Sequence, residues 1–158
     1  MTENSLYNTA LSKCMSLCSQ REYCKSDIEN KLESWGVNKP DVQKIINTLI
    51  RENFLNEERY AKAFVTDKFN YNKWGKIKIS YHLKSRKVSE NAIRLALNSI
   101  DNEEYKDSLK ELIKSHRRSV RAKNSYDLKA KLLRFGQSRG FEAALLYDLL
   151  NEIEKENP

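Results

Sequence analysis

The chain has 158 residues, with 29 Lys and Arg against 22 Asp and Glu, a formal net charge of +7. Only 39% of it is hydrophobic, no apolar run approaches the roughly 18–20 residues that span a bilayer, and Glu3, Asn4, Ser12 and Lys13 interrupt the start where a signal peptide would need an apolar core. Four Gly and two Pro supply too few turns for a β-sandwich or barrel, so the expectation is an all-α, cytoplasmic protein.

Residues near 5–20 carry Leu6, Ala10, Leu11, Cys14, Leu17 and Cys18 at helical spacing. Cys14, Cys18 and Cys24 are three in number and confined to one end, which argues against a disulfide framework. His82 and His116 lie far from them without metal-type spacing, so the thiols are expected to be reduced core residues. Ser26 and Glu29 have the spacing of a capping box ahead of a second stripe, Ile28, Leu32 and Trp35, which Gly36 ends. Asn38-Lys39-Pro40 restarts the chain, with Pro suited to a first helical turn. Val42, Ile45, Ile46, Leu49 and Ile50 then form the cleanest amphipathic pattern in the sequence. Asn53 and Asn56 bracket the short connector Phe54-Leu55, with Asn56 a cap for a helix through Tyr60, Ala63, Phe64 and Val65. Asn70-Tyr71-Asn72-Lys73-Trp74-Gly75 breaks that helix.

The chain resembles itself. A shift of 51 residues carries Ile28, Leu32, Val37, Val42, Ile45 and Ile46 onto Ile79, Leu83, Val88, Ile93, Ala96 and Leu97. A further 53 carries them onto Leu132, Gly136, Phe141, Leu146, Leu149 and Leu150, with Gly136 the one break in the apolar pattern. The helices ahead of each unit echo one another as well, at Tyr7–Leu11, Tyr60–Phe64 and Tyr105–Leu109. The expected architecture is therefore three tandem three-helix repeats, at 1–54, 55–101 and 102–158, forming an elongated curved array. Such an array offers a partner a long surface instead of one deep pocket.

Charge is uneven along it. From Lys73 to Arg139 there are 18 basic and 7 acidic residues, a local charge of +11, while the rest of the chain is −4. Basic density peaks at His116-Arg117-Arg118-Ser119-Val120-Arg121-Ala122-Lys123, with no acid between Glu111 and Asp127. Trp74-Gly75-Lys76-Ile77-Lys78 sets an aromatic ring and two lysines at a helix start, where free backbone amides favour an anion. A basic stretch with interleaved aromatics suits a polyanion, because neutralised phosphates release counterions. Catalysis finds no support: there is no Gly-rich phosphate loop, paired-histidine metal motif or nucleophile elbow. His82 reads as an ordinary partly exposed histidine, and Glu57-Glu58 and Glu103-Glu104 as acids favouring helix starts. No catalytic residue, metal or cofactor is expected.

Four segments resemble the RecX family of RecA regulators. Arg21-Glu22-Tyr23-Cys24-Lys25-Ser26-Asp27-Ile28 is similar to that family's Arg-x-x-Ser-x-x-Glu-Leu opening, with Cys24 in the serine place. Phe54-Leu55-Asn56-Glu57-Glu58-Arg59-Tyr60-Ala61 is similar to its Gly-hydrophobic-Leu-Asp-Asp-x-Arg-Tyr-Ala segment, with Asn53 in place of the glycine. Trp74-Gly75-Lys76-Ile77-Lys78-Ile79, then Leu83 and Lys87-Val88, resembles the stretch around Gly-x-x-(Arg/Lys)-Ile, with Lys87 replacing a glycine; Arg139-Gly140-Phe141 resembles the Arg-Gly-Phe of the third unit. The resemblance covers roughly residues 5–153. It implies a non-enzymatic, monomeric fold of three three-helix units that binds the RecA filament on single- or double-stranded DNA and restrains recombination. On that reading Lys76, Lys78, Lys84, Arg86, Arg117, Arg118, Arg121 and Lys123 face phosphate or acidic filament surface. Tyr60, Ala61 and Phe64 pack the core, and Arg59 forms an ion pair, either within the fold or across an interface. The alternatives are a helical protein that binds nucleic acid on its own and a structural adaptor whose basic surface meets an acidic protein.

Overall fold

The computed structural model describes residues 3–156. Among them the chain forms nine helices and no strand: α1 (Glu3–Gln20), α2 (Lys25–Ser34), α3 (Lys39–Arg51), α4 (Glu57–Asn70), α5 (Lys76–Ser85), α6 (Glu90–Asn98), α7 (Asn102–Arg117), α8 (Ser125–Ser138) and α9 (Ala143–Glu156). None is long and apolar enough to cross a membrane. Taken in order, they form three helix triplets, and the fold is all-α with a three-helix repeat.

Backbone geometry carries the repeat more sharply than the side chains do. The second helix of each triplet ends in the same six-residue closure. Val37 N donates to Leu32 O, Val88 N to Leu83 O and Phe141 N to Gly136 O, each at 3.1 Å. Inside each closure one residue adopts the left-handed conformation: Gly36 at φ +84°, Lys87 at +62° and Gly140 at +90°. Its amide donates in turn to Glu33 O, Lys84 O or Gln137 O. This is a Schellman motif, and it satisfies carbonyls that a helix end otherwise leaves orphaned. The three closures lie 51 and 53 residues apart, the spacing expected from the apolar pattern. Of the eighteen aligned positions all but one are buried, the exception being half-buried Leu97.

Capping explains most boundaries. Asn38 accepts from Asp41 N at 3.0 Å with Pro40 beside it in the first turn of α3, and Asn56 accepts from Arg59 N at 2.9 Å at the start of α4. Asn53 takes φ +63°, as its place at a glycine position implies, and closes α3 through Phe54 N to Leu49 O at 2.8 Å. Glu57-Glu58 and Glu103-Glu104 occupy the first turns of α4 and α7.

Three expectations need correction. The Ser26–Glu29 capping box does not form: α2 begins at Lys25 with Cys24 as its uncapped N-cap, and Ser26 Oγ instead donates to the carbonyl of Arg86 at 3.1 Å. Ile50 and Ala63, both placed on apolar stripes, are exposed, because each sits at the solvent edge of its helix face. Gly136 is no gap in the core. A Cβ there would fall 2.2 Å from Leu146 Cδ2, so its missing side chain is what lets Leu146 of α9 seat on α8.

Packing divides the chain into two compact units, residues 1–64 with 83–95, and residues 65–82 with 96–158. In the first, Ala10, Cys14 and Cys18 of α1 join Ile28, Leu32, Val42, Ile45, Ile46 and Leu49 of α2 and α3 in one core. Burial of this kind stabilises by about 1.5–3 kcal/mol per large aliphatic side chain. Cys14, Cys18 and Cys24 are free and buried, and burial pushes the Cys14 thiol up to about 11 and raises the other two. In the second unit, Tyr105 packs between Phe69 (5.9 Å between ring centroids) and Phe141 (5.2 Å).

Candidate nucleic-acid interface

The basic side chains singled out in the sequence fall in both units. Lys84 at the end of α5 and Arg86 in the following turn belong to the first; Lys76 and Lys78 on α5, Arg117 ending α7, and Arg118, Arg121 and Lys123 in the α7–α8 connector belong to the second.

The 117–123 segment is the more open of the two clusters in the second unit. Lys114, His116 and Arg117 fill the last turn of α7, where cations complement the helix dipole. Arg118, Arg121 and Lys123 are exposed, and none of them forms an ion pair among the described residues. The connector is nonetheless held in place. Asp127 accepts from Lys123 N at 3.1 Å and pairs with Lys131 at 3.3 Å, and Lys131 Nζ also donates to Arg121 O at 2.7 Å. The Lys123 amide, then Lys131, hold the Asp127 carboxyl below its usual value. Neighbouring lysines are engaged internally: Lys110 and Lys114 with Glu156, and Lys129 with Asn151 and Glu154. Backbone anchoring leaves Arg118, Arg121 and Lys123 projecting from a fixed loop, a suitable disposition for phosphates.

The start of α5 differs from expectation. Its first amides are not open to an anion, because the fold has already filled them. Gly75 N donates to Arg139 O at 2.7 Å, Lys76 N to Tyr105 Oη at 2.9 Å and Ile77 N to Gly140 O at 3.0 Å. Tyr105 in turn donates to Glu142 at 2.5 Å; burial and that carboxylate hold its phenol well above the usual range. Lys76 and Lys78 therefore offer only their side chains, and these lie over rings: Lys76 Nζ 4.8 Å from the Tyr105 centroid, Lys78 Nζ 4.7 Å from that of Trp74. Trp74 is half-buried, stacked at 4.6 Å on His82 with Lys68 on it at 5.2 Å. This indole is a packing element, and His82 is its partner.

In the first unit Arg86 lies 5.0 Å over Phe64, and Arg59 resolves as an internal ion pair. Its Nε donates to both oxygens of Glu22 (2.5 and 2.7 Å), and a second guanidinium nitrogen donates to the carbonyls of Asn53 (3.1 Å) and Phe54 (3.2 Å). Tyr60 and Ala61 are buried as expected, whereas Phe64 is half-buried. A cleft of about 750 Å³ in this unit has an apolar floor of Leu55, Tyr60, Val88 and Ala92. Lys25, Arg86 and Lys87 on its rim are matched by Glu29, Glu57 and Glu58, so it shows no preference for one sign of charge. No cluster of three or more potential metal ligands occurs among the described residues.

One feature of the surface escaped the sequence reading. Tyr71, Ile77 and Tyr81 are exposed by 81%, 56% and 69%. They lie in a run from Lys68 to Ser89 that contains seven Lys or Arg and no acid at all, longer than the acid-free run around Arg117. That signal was available in the spacing of Asp67 and Glu90.

The repeated closures and triplets define an all-helical protein built of tandem three-helix units. Residues 56–97 match the family model described as the second three-helix domain of RecX. A Regulatory protein RecX of Clostridium botulinum is 33% identical over 134 residues, covering 84% of this chain and 60% of the relative; that of Clostridium acetobutylicum is 28% identical over 159 residues, covering 98% and 72%. The chain thus spans about 60% of the length of the first of these. Two crystal structures share the fold. One, of regulatory protein RecX, has a TM-score of 0.85 at 21% identity and covers 95% of this chain and 73% of that one. The other, RecX from Lactobacillus salivarius, has a TM-score of 0.83 at 18% identity and covers 96% and 98%. Over most of its length the chain is thus similar to regulatory proteins named RecX, and residues 56–97 to the second three-helix domain of that family.

Proposed function

We propose that the protein is a non-enzymatic, cytoplasmic regulator that binds, as a monomer, to the RecA–DNA filament and mostly inhibits its ATPase and strand-exchange activities. The observation that carries this reading is the anchored 117–123 connector, whose exposed basic side chains have no acidic partner among the described residues, in a chain whose relatives are named regulatory proteins. In this reading Arg117, Arg118, Arg121 and Lys123, with Lys76, Lys78, Lys84 and Arg86, meet phosphates or acidic filament surface. The three repeats, taken as 1–54, 55–101 and 102–158, spread many modest contacts over a repeating lattice, so single substitutions weaken binding only partly.

The test is DNA-stimulated ATP hydrolysis and strand exchange by the cognate RecA, titrated with this protein at fixed salt. Substoichiometric inhibition is expected, lost in the variant carrying Arg117→Glu, Arg118→Glu and Arg121→Glu with its helical circular dichroism intact. Full inhibition by that variant refutes the assignment of the connector. No effect on RecA alongside tight, steeply salt-dependent binding to bare DNA replaces the regulator with a protein that binds nucleic acid alone.

A further inference from the structure

Two rows of side chains run side by side at the start of α5, all within the second unit. Spacing of four residues puts Lys78 and His82 in one row of α5 and Ile77 and Tyr81 in the next, and Trp74, two residues ahead of the helix, joins the first row by contact. The first row is consolidated by contacts: Lys78 Nζ 4.7 Å and His82 4.6 Å from the Trp74 ring centroid, with Lys68 also over that ring. The second row is left bare. Tyr81 meets His82 edge-on at 5.6 Å yet keeps 69% of its surface exposed, and Ile77 keeps 56%.

We propose that Tyr81, with Ile77 beside it and Lys78 at its margin, is a stacking site for the bases of an unpaired nucleic-acid strand. This rests on the proposed contact with nucleic acid and names its form. Three features favour a strand over other occupants. The cations in this unit's part of the acid-free run are all lysines, Lys68, Lys73, Lys76 and Lys78. Lysine is depleted at protein–protein interface cores and serves phosphates as a point charge, so a protein partner fits poorly. An exposed phenol ring next to such cations matches the pattern of single-strand binders, in which a base's π-face lies on an aromatic side chain. A duplex hides those faces inside its stack and offers only phosphates. Finally, the amides of Gly75, Lys76 and Ile77 are already occupied by Arg139, Tyr105 and Gly140, which leaves the lysine side chains to meet phosphates; that suits a strand whose register the bases set.

The test compares binding of a fluorescein-labelled 20-mer of thymidylate, an abasic strand of equal length and a duplex of equal length. The protein is used as wild type, Tyr81→Ala, Tyr81→Phe and Tyr147→Ala, the last an exposed tyrosine beside Asp148 on α9. Tyr81→Ala is expected to weaken thymidylate binding about tenfold with an unchanged salt slope, in keeping with the loss of one base stack. Tyr81→Phe and Tyr147→Ala should bind as wild type does, and the abasic and duplex probes should not register the Tyr81→Ala change. A thymidylate strand bearing 5-iodouracil should photocrosslink to the peptide containing Tyr81. Equal loss on strand and duplex, no loss at all, or no binding of thymidylate by the wild type overturns the proposal. If Tyr81→Ala leaves thymidylate binding intact but abolishes inhibition of RecA, the face docks on protein and the proposal is again wrong. If strand binding falls while RecA is inhibited as before, the stacking site stands and its link to the filament fails.

Discussion

Replacing Gly75 with alanine should unfold the second unit far more easily, although by ordinary helix rules the change is harmless. Gly75 does not have positive φ, and exchanging Gly for Ala at an unstrained site usually stabilises by about 0.4–1 kcal/mol. Here the added Cβ would lie 2.4 Å from both C and O of Gly140 and 2.5 Å from Phe141 N, all of them backbone atoms that no rotamer change can move aside. Restoring ordinary contact near 3.4 Å demands a shift of about 1 Å. That shift breaks the bonds from Gly75 N to Arg139 O (2.7 Å) and from Ile77 N to Gly140 O (3.0 Å). Each of the two lost buried backbone bonds costs about 1–3 kcal/mol and overpacking about 1–3 more, so after the offsetting gain of about 0.4–1 the net loss is about 2–8 kcal/mol. In a protein whose whole stability is of the order of 5–15 kcal/mol this is large. Urea unfolding in a Trp35→Phe background isolates the fluorescence of Trp74, which belongs to the second unit. Gly36→Ala is the matched control: it has φ +84° and nothing within 4 Å of the added Cβ, so it pays backbone strain alone, about 1 kcal/mol. If Gly75→Ala lies within about 0.5 kcal/mol of wild type, the backbone contact between the α5 start and the α8–α9 turn is misjudged.

Arg59→Ala should cost about 2–3 kcal/mol, because it strips two carboxylate contacts and two carbonyl acceptors at once, discounted for a side chain 40% exposed; Arg59→Lys should cost less but not nothing. Urea unfolding followed through Trp35 in a Trp74→Phe background reads it, and an unchanged midpoint refutes the internal role. The three thiols, held above their ordinary values by burial, should react with an aromatic disulfide at pH 8 at least about a hundredfold slower in the folded protein than in urea. Asp127 has a depressed carboxyl, so its contribution is complete above the unfolded value of 3.8 and is lost as pH falls through the lower folded value. The Lys123 amide proton resonance should therefore shift with a midpoint below 3.8, and Asp127→Asn should abolish that titration.

What the sequence made legible was governed by local or periodic rules. Apolar positions 51 and 53 residues apart located the buried face of every triplet, and Asn38, Asn56 and Gly36 marked helix boundaries through chemistry confined to a few residues. Lys87 shows how far the backbone closure dominates: it takes φ +62° at the place held by glycine in the other two repeats, so the motif persists without the residue that makes it easy. Illegible features depended on partners far along the chain. Ser26 had the right spacing for a capping box but gives its hydroxyl to Arg86, sixty residues on. Gly136 broke the apolar pattern because what the site needs is absence of volume beneath Leu146, which hydropathy cannot express.

The start of α5 joins these strands. A lysine-flanked helix beginning is, in isolation, an anion site; here Arg139 O, Tyr105 Oη and Gly140 O reach it from the third triplet and consume its donors. Gly75 and Gly140 are small because two of these bonds, Gly75 N to Arg139 O and Ile77 N to Gly140 O, join backbone to backbone. On the same helix His82 stacks on Trp74, while Tyr81 meets His82 by an edge and stays exposed. A structural joint and a candidate binding face thus share one helix, and they separate by mutation: Gly75→Ala should lower stability and binding together, whereas Tyr81→Ala should lower strand binding with stability unchanged.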